Sequence, residues 1–87
     1  MKICVLYHPN SEDSRAVEEY AHDFERSKGK PVELLSLETR EGADMAKVYD
    51  IVQYPSLMVL KDASNELVKF WTGVPLPLMD EVASYDG

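Results

Sequence analysis

Polar side chains that could take part in catalysis are concentrated in one short stretch of this chain. Ser11 and Ser14 carry hydroxyls, His8 carries an imidazole, and Glu12 and Asp13 lie between the two serines. A serine beside a histidine can form a nucleophile–base pair. However, no acid is spaced to orient His8, and no glycine elbow surrounds either serine. We therefore expect structural roles for the serines, with Ser11 capping a helix.

Metal and thiol chemistry have weak support in the sequence. His8, Glu12 and Asp13 together would place three ligands in a short loop, which is a poor metal site, so we expect none. The single cysteine, Cys4, excludes an intramolecular disulfide. Since Cys4 lies within an apolar run, we interpret it as a small buried hydrophobic residue. His22, on a predicted helix, is a weak site candidate.

Size and charge restrict the classes of function. Eighty-seven residues form one domain, residues 1–87. Nine basic and sixteen acidic residues give a net charge of −7, which argues against nucleic acid and anionic membrane surfaces as partners. The first apolar run, residues 3–7, is too short for a signal segment or a membrane span. We expect a cytoplasmic protein.

The hydrophobic pattern predicts seven elements in the order β-α-β-α-β-β-α. The first strand–helix–strand unit should be parallel and right-handed, and the layer rules then give an α/β fold with a mixed four-stranded sheet and helices on both faces. The predicted elements are Lys2 to Tyr7, Asn10 or Ser11 to about Ser27, Val32 to Leu37, Ala43 to Tyr49, the strand after Pro55, Leu67 to Thr72, and Pro77 or Leu78 to about Ala83.

Spacing also predicts which helix faces are buried. In the first helix the apolar residues recur at intervals of three and four, and Gly29 is placed to end the helix. In the second helix we expect Met45, Val48 and Tyr49 to point inward. The apolar positions of the first helix are Val17, Tyr20, Ala21 and Phe24.

Residues 46–57, AKVYDIVQYPSL, carry a resemblance to a known fold. They resemble the short helix and the following Pro-Thr segment of the thioredoxin fold in its minimal, glutaredoxin-like form. Leu67 to Gly73 is similar to the last strand of that fold and its closing glycine. The resemblance covers nearly the whole chain, and it implies that Pro55 follows a cis peptide bond.

The resemblance also locates a degenerate redox motif. The family's Cys-x-x-Cys sits just after the first strand, where this chain reads Ser11-Glu12-Asp13-Ser14. Thiol–disulfide exchange requires a thiolate, which a serine cannot supply. We therefore expect no disulfide oxidoreductase activity and no cofactor.

What the resemblance still implies is a groove for an extended peptide, paired through backbone hydrogen bonds. Tyr54, and with it Trp71, would supply aromatic anchors. Glutathione is not expected, because Glu12 and Asp13 would repel its carboxylates. By position, the groove residues are His8, Pro9, Asn10, Ser11, Tyr54, Pro55, Thr72, Gly73 and Val74.

The sequence thus favours a redox-inactive module that binds a protein or peptide, and it leaves three alternatives open. The groove residues could serve packing and turns alone. An oxidoreductase could use Cys4. A structural module could oligomerise through the apolar bend from Val74 to Leu78. Neither a specific partner nor an oligomeric state follows from the sequence.

Overall fold

A computed structural model describes residues 1–85 of the chain. The four strands and three helices follow the predicted order. Within the described residues, no helix is long and apolar enough to cross a membrane. The elements are β1 (Lys2–Tyr7), α1 (Ser14–Lys28), β2 (Glu33–Ser36), α2 (Arg40–Val48), β3 (Ser56–Leu60), β4 (Leu67–Thr72) and α3 (Met79–Ala83).

The four strands form one mixed sheet in the spatial order β2-β1-β3-β4. β1 pairs in parallel with β2, as expected for a strand–helix–strand unit. β3 pairs antiparallel with both β1 and β4. The predicted mixed α/β sheet is confirmed, and its two central strands are buried on both faces.

Helices cover both faces of the sheet, so alternate residues of each central strand enter different cores. One core lies beneath α1 and α3, and the other lies beneath α2. The buried residues of the first are Ile3, Val5, Val17, Phe24, Leu57, Val59 and Val82. Those of the second are Cys4, Leu6, Leu35, Ala46, Ile51, Met58 and Leu60.

The start of α1 differs from the prediction. Ser11 does not cap the helix, because its hydroxyl donates to the His8 carbonyl oxygen over 2.7 Å. The helix begins at Ser14, and Asp13 precedes it without a side-chain capping bond. At the other end, the predicted glycine stop is confirmed, since Gly29 has a φ of 70° and its N–H donates to the Glu25 carbonyl.

The start and the inward face of α2 also differ from the prediction. The helix begins at Arg40, because the Thr39 side chain accepts a hydrogen bond from the Gly42 N–H over 3.1 Å. Val48 was expected to point inward, but it is 75% exposed. Ala46 occupies the core in its place, while Met45 and Tyr49 pack against its margin as expected.

The strands agree more closely with the prediction than the helices do. β1 and β4 have the expected bounds, whereas β2 is shorter than the expected range from Val32 to Leu37. β4 ends at Thr72, and the Gly73 that follows has a φ of 80°, which suits a residue without a Cβ. The last helix begins at Met79, within two residues of its expected start.

Candidate functional site

The stretch that follows β1 is a pair of turns. Ser11 N–H donates to the His8 carbonyl over 3.1 Å, and Ser14 N–H donates to the Ser11 carbonyl over 3.3 Å. These bonds fold the stretch so that it reaches α1 at Ser14. Both serines are partly buried. Since the Ser11 hydroxyl donates to a main-chain oxygen, it is occupied in holding the turn.

An aromatic contact joins this turn to the segment before β3. The rings of His8 and Tyr54 lie edge to face, with 5.2 Å between their centroids. Tyr54 is also held by its own hydroxyl, which donates to the Ile51 carbonyl over 2.8 Å. The structure therefore places two of the expected groove residues, distant in sequence, against each other.

The main chain around Pro55 forms the floor of the site. The Tyr54–Pro55 peptide bond is cis. The Pro55 carbonyl accepts a hydrogen bond of 2.8 Å from the Gly73 N–H, which ties the entrance of β3 to the end of β4. Among residues 1–85, no partner accepts from the Tyr54 N–H or donates to its C=O. These two main-chain groups are thus available beside a fixed bend.

Gln53 is a site residue that the sequence reasoning missed. Its side-chain oxygen accepts a hydrogen bond of 3.1 Å from the Thr72 hydroxyl. Its carbonyl accepts another from the Ser56 hydroxyl. The residue thereby connects the segment before Tyr54 to the last residue of β4. In the sequence, the only sign of this role was that a polar residue directly precedes the Tyr-Pro pair.

Val74 and Pro9 are two further residues of the expected groove. Val74, which is 52% exposed, follows Gly73 and leads toward α1. Pro9 is partly buried in the turn after β1. Trp71 is not a groove anchor, because it lies against α3: its indole N–H donates to Glu81, and its ring contacts the Tyr85 ring at 5.7 Å.

Comparison with solved structures identifies the architecture. The thioredoxin 1 structure from the thermophilic eubacterium Thermosipho africanus TCF52B matches with a TM-score of 0.68 at 13% identity, over 97% of this chain and 88% of that one. A chain in the crystal structure of a complex between ferredoxin:thioredoxin reductase and thioredoxin f2 matches with a TM-score of 0.65 at 23% identity, over 98% of this chain and 74% of that one. This chain has a thioredoxin-like fold. No protein-family model and no curated protein matches the sequence.

The only cysteine of this thioredoxin-like fold lies within the sheet. Cys4 is 0% exposed and belongs to the core beneath α2. Burial, together with the nearby Glu33 carboxylate 3.3 Å from the sulfur, raises the pKa of the Cys4 thiol to about 12. The thiol is therefore protonated and inaccessible at neutral pH.

Among residues 1–85, the side chains of the turn after β1 form neither a nucleophile–base pair nor a cluster of metal ligands. His8 contacts the Tyr54 ring, and the Ser11 hydroxyl bonds to a carbonyl of the backbone. Within residues 1–85 there is no group of three His, Cys, Asp or Glu side chains close enough to bind one metal ion. The site therefore consists of the N–H and C=O of Tyr54, with aromatic and apolar side chains beside them.

Proposed function

We propose that this thioredoxin-like chain is a non-catalytic module that binds an extended segment of a protein or peptide beside the Tyr54–Pro55 bond. The main-chain N–H and C=O of Tyr54 are the observation that carries the proposal. Neither has a partner within residues 1–85, although both lie next to a fully buried strand. An added peptide strand would satisfy both groups, as in other cases of β-strand addition.

The surroundings of Tyr54 favour a peptide as the occupant. The Tyr54 ring is partly buried and is held from one side by His8 and from below by its hydroxyl bond to Ile51. A ring with its rotamer fixed in this way contributes contact area at a small entropic cost. The exposed Val74 at the other end of the floor offers an apolar contact for the same ligand.

Redox catalysis has no chemical support in this chain. Disulfide exchange requires a thiolate to attack sulfur and form a mixed disulfide. The tetrapeptide from Ser11 to Ser14, which the resemblance aligns with Cys-x-x-Cys, contains no sulfur. Cys4 has a pKa of about 12 and no exposed surface. An oxidoreductase that uses Cys4 is accordingly disfavoured, and a reductase assay with insulin should give only the blank rate.

The binding proposal is tested with peptides selected by the purified chain from a random displayed library. Selected peptides are synthesised and titrated by calorimetry. Replacing Tyr54 with Ala should weaken binding about tenfold or more, as for a central aromatic anchor. Tyr49→Ala is the matched control, because Tyr49 also packs on the core beneath α2 and its hydroxyl also donates to a main-chain carbonyl. Peptides that bind Tyr54→Ala as tightly as the wild type would contradict the proposal.

Oligomerisation through the bend from Val74 to Leu78 is a second candidate, favoured by one observation. Leu78 is 76% exposed and Val74 is 52% exposed, so the bend presents apolar surface to solvent. Light scattering of the wild type beside Leu78→Asp separates the two candidates. An assembly that dissociates on this substitution would support oligomerisation, and a wild-type monomer would exclude it.

A further inference from the structure

A cleft opens between α1 and the bend that follows β4. We call it the α1 cleft, and its volume is about 340 Å³. This volume is at the lower end of the range for small-ligand pockets. The cleft has an apolar wall that is contributed by Val74, Pro75, Leu76 and Met79.

The opposite wall of the α1 cleft is acidic. Glu19 and Asp23 lie one helical turn apart on α1 and both line the cleft, whereas none of the described residues that line it is basic. Each carboxylate has a partner on its own helix: Arg15 is 3.7 Å from Glu19, and Arg26 is 2.9 Å from Asp23. Exposed ion pairs of this kind contribute little to stability, so an incoming cation can share or replace them.

Tyr20 also lines this wall of the cleft. Its hydroxyl is buried and has no hydrogen-bond partner among the residues that the structure describes. The ring stacks on Phe24, with 6.1 Å between the centroids, so the side chain is fixed by the core. Burial, together with the charge of Glu81, raises the pKa of Tyr20 to about 12, which keeps the hydroxyl neutral.

We propose that the α1 cleft receives a lysine or arginine side chain of the peptide that binds beside Tyr54. The inference rests on the proposed function and adds that the bound peptide contains a basic residue. Val74 connects the two places, because it lines the cleft and directly follows Gly73, whose N–H bonds to the Pro55 carbonyl. A peptide that lies along Tyr54 therefore passes the mouth of the cleft.

A basic side chain fits both walls at once. Its aliphatic stem packs on the wall formed by Leu76 and Met79, and its charged end reaches the carboxylates of Glu19 and Asp23. An acidic or phosphorylated side chain would be repelled by these carboxylates, and the net charge of −7 acts in the same direction. An uncharged apolar side chain would leave the carboxylates without a new partner. The acidic wall thus favours a cation, and the apolar wall favours a side chain with an aliphatic stem.

The first experiment uses a small probe that does not need the groove. N-acetyl-arginine amide is titrated into the isotope-labelled chain and followed by amide chemical shifts. N-acetyl-citrulline amide, which has nearly the same shape and no charge, is titrated in parallel. We expect saturable shifts at Glu19, Tyr20 and Asp23 with the arginine probe only. In Glu19→Gln/Asp23→Asn the affinity should fall about fivefold, as expected for the loss of two partly exposed charge contacts.

The control variant is Glu18→Gln/Glu25→Gln, which removes the same charge from α1 at exposed positions outside the cleft. It should bind the arginine probe within about twofold of the wild type, since distant exposed charges are largely screened. An equal loss in both double variants would overturn the inference in favour of a general effect of net charge. Absence of saturable shifts, or equal binding of the citrulline probe, would also overturn it.

The second experiment links the cleft to the groove. In a library peptide that requires Tyr54, each basic residue is replaced in turn by norleucine. One replacement should weaken binding to the wild type about fivefold and have no effect on Glu19→Gln/Asp23→Asn. If no replacement has an effect, the inference fails while the proposed function stands. If no library peptide requires Tyr54, the proposed function fails, and the arginine probe still decides whether the cleft binds a cation.

Discussion

Among single residues, Cys4 determines whether this chain can carry out thiol chemistry. Its thiol has no exposed surface, and its pKa is about 12 because of burial and the adjacent Glu33. We predict that Ellman's reagent will not label the native protein at about pH 8 beyond the rate at which the chain unfolds. Complete labelling in guanidinium chloride is the control. Rapid labelling of one thiol per native chain would contradict the prediction and revive an enzyme that uses Cys4.

The same residue should make stability depend on alkaline pH. The folded pKa of about 12 lies above the ordinary value of 9.0, so above pH 9 the unfolded state loses the thiol proton first. The free energy of unfolding must then fall as the pH rises. Between about pH 8 and pH 10.5 we expect Cys4 to contribute a loss of roughly 2 kcal/mol. Urea unfolding at the two pH values measures the loss of free energy of unfolding. In Cys4→Ala this loss should be smaller, because the thiol is absent, but it should not be zero, because the tyrosines still titrate. Equal losses in the two proteins would show that Cys4 is not responsible.

At the scale of elements, Gly42 determines how α2 begins. A Cβ at this position would lie 2.0 Å from the Ser36 carbonyl oxygen. That oxygen is fixed, because it accepts hydrogen bonds from both the N–H and the hydroxyl of Thr39. Helix propensity alone would make Gly42→Ala stabilising by about 1 kcal/mol. We predict instead a loss of about 2 kcal/mol, since the collision with main chain outweighs the propensity gain.

Thermal and urea unfolding of Gly42→Ala check the sign of this effect. The control is Asp44→Ala, an exposed change in the same helix, which should alter the free energy of unfolding by no more than about 0.5 kcal/mol. A stabilised Gly42→Ala variant would mean that the close approach to Ser36 relaxes at little cost.

The helix starts are also where the sequence was a poor guide. The sequence predicted that α2 begins at Ala43, but the Thr39 cap places Gly42 inside the first turn. Serine often caps helices, yet the Ser11 hydroxyl donates its hydrogen bond to the preceding His8 carbonyl. Both choices are made between competing local hydrogen bonds of side chains to the main chain three residues away, and residue type alone does not distinguish these bonds. The strands, in contrast, were predictable because apolar runs bounded by Pro and Gly have few alternatives.

At the scale of the whole molecule, topology could be predicted further than the site. The order of elements and the mixed sheet followed from hydrophobic patterning, and the expected proximity of His8 and Tyr54 agrees with the contact between their rings. The α1 cleft could not be predicted, because it is formed by a helix and a bend that are about 55 residues apart and it depends on how the bend packs. Trp71 was misplaced for the same reason: its position in the sequence did not reveal that α3 covers it.

The turn from Ser11 to Ser14 lies where the resemblance places Cys-x-x-Cys, although its side chains contain no sulfur. The hydrogen bond of 3.3 Å from Ser14 N–H to the Ser11 carbonyl closes a turn, which brings the two Cα atoms within about 7 Å. Disulfides require a Cα separation of roughly 4.4–6.8 Å. We therefore predict that Ser11→Cys/Ser14→Cys forms an intramolecular disulfide on oxidation. Insulin reduction should rise only slightly above the blank, since Glu12 and Asp13 beside the thiols disfavour a thiolate.

Mass spectrometry after alkylation distinguishes the bonded pair from two free thiols. The single variants Ser11→Cys and Ser14→Cys are the controls, and neither should show an intramolecular bond, because Cys4 is buried in the sheet. If the double variant stays reduced under oxidising conditions, the turn does not hold the two side chains in disulfide geometry. The alignment of residues 11–14 with a redox motif would then be wrong, while a peptide site beside Tyr54 would be unaffected, since it depends on main-chain groups of another segment.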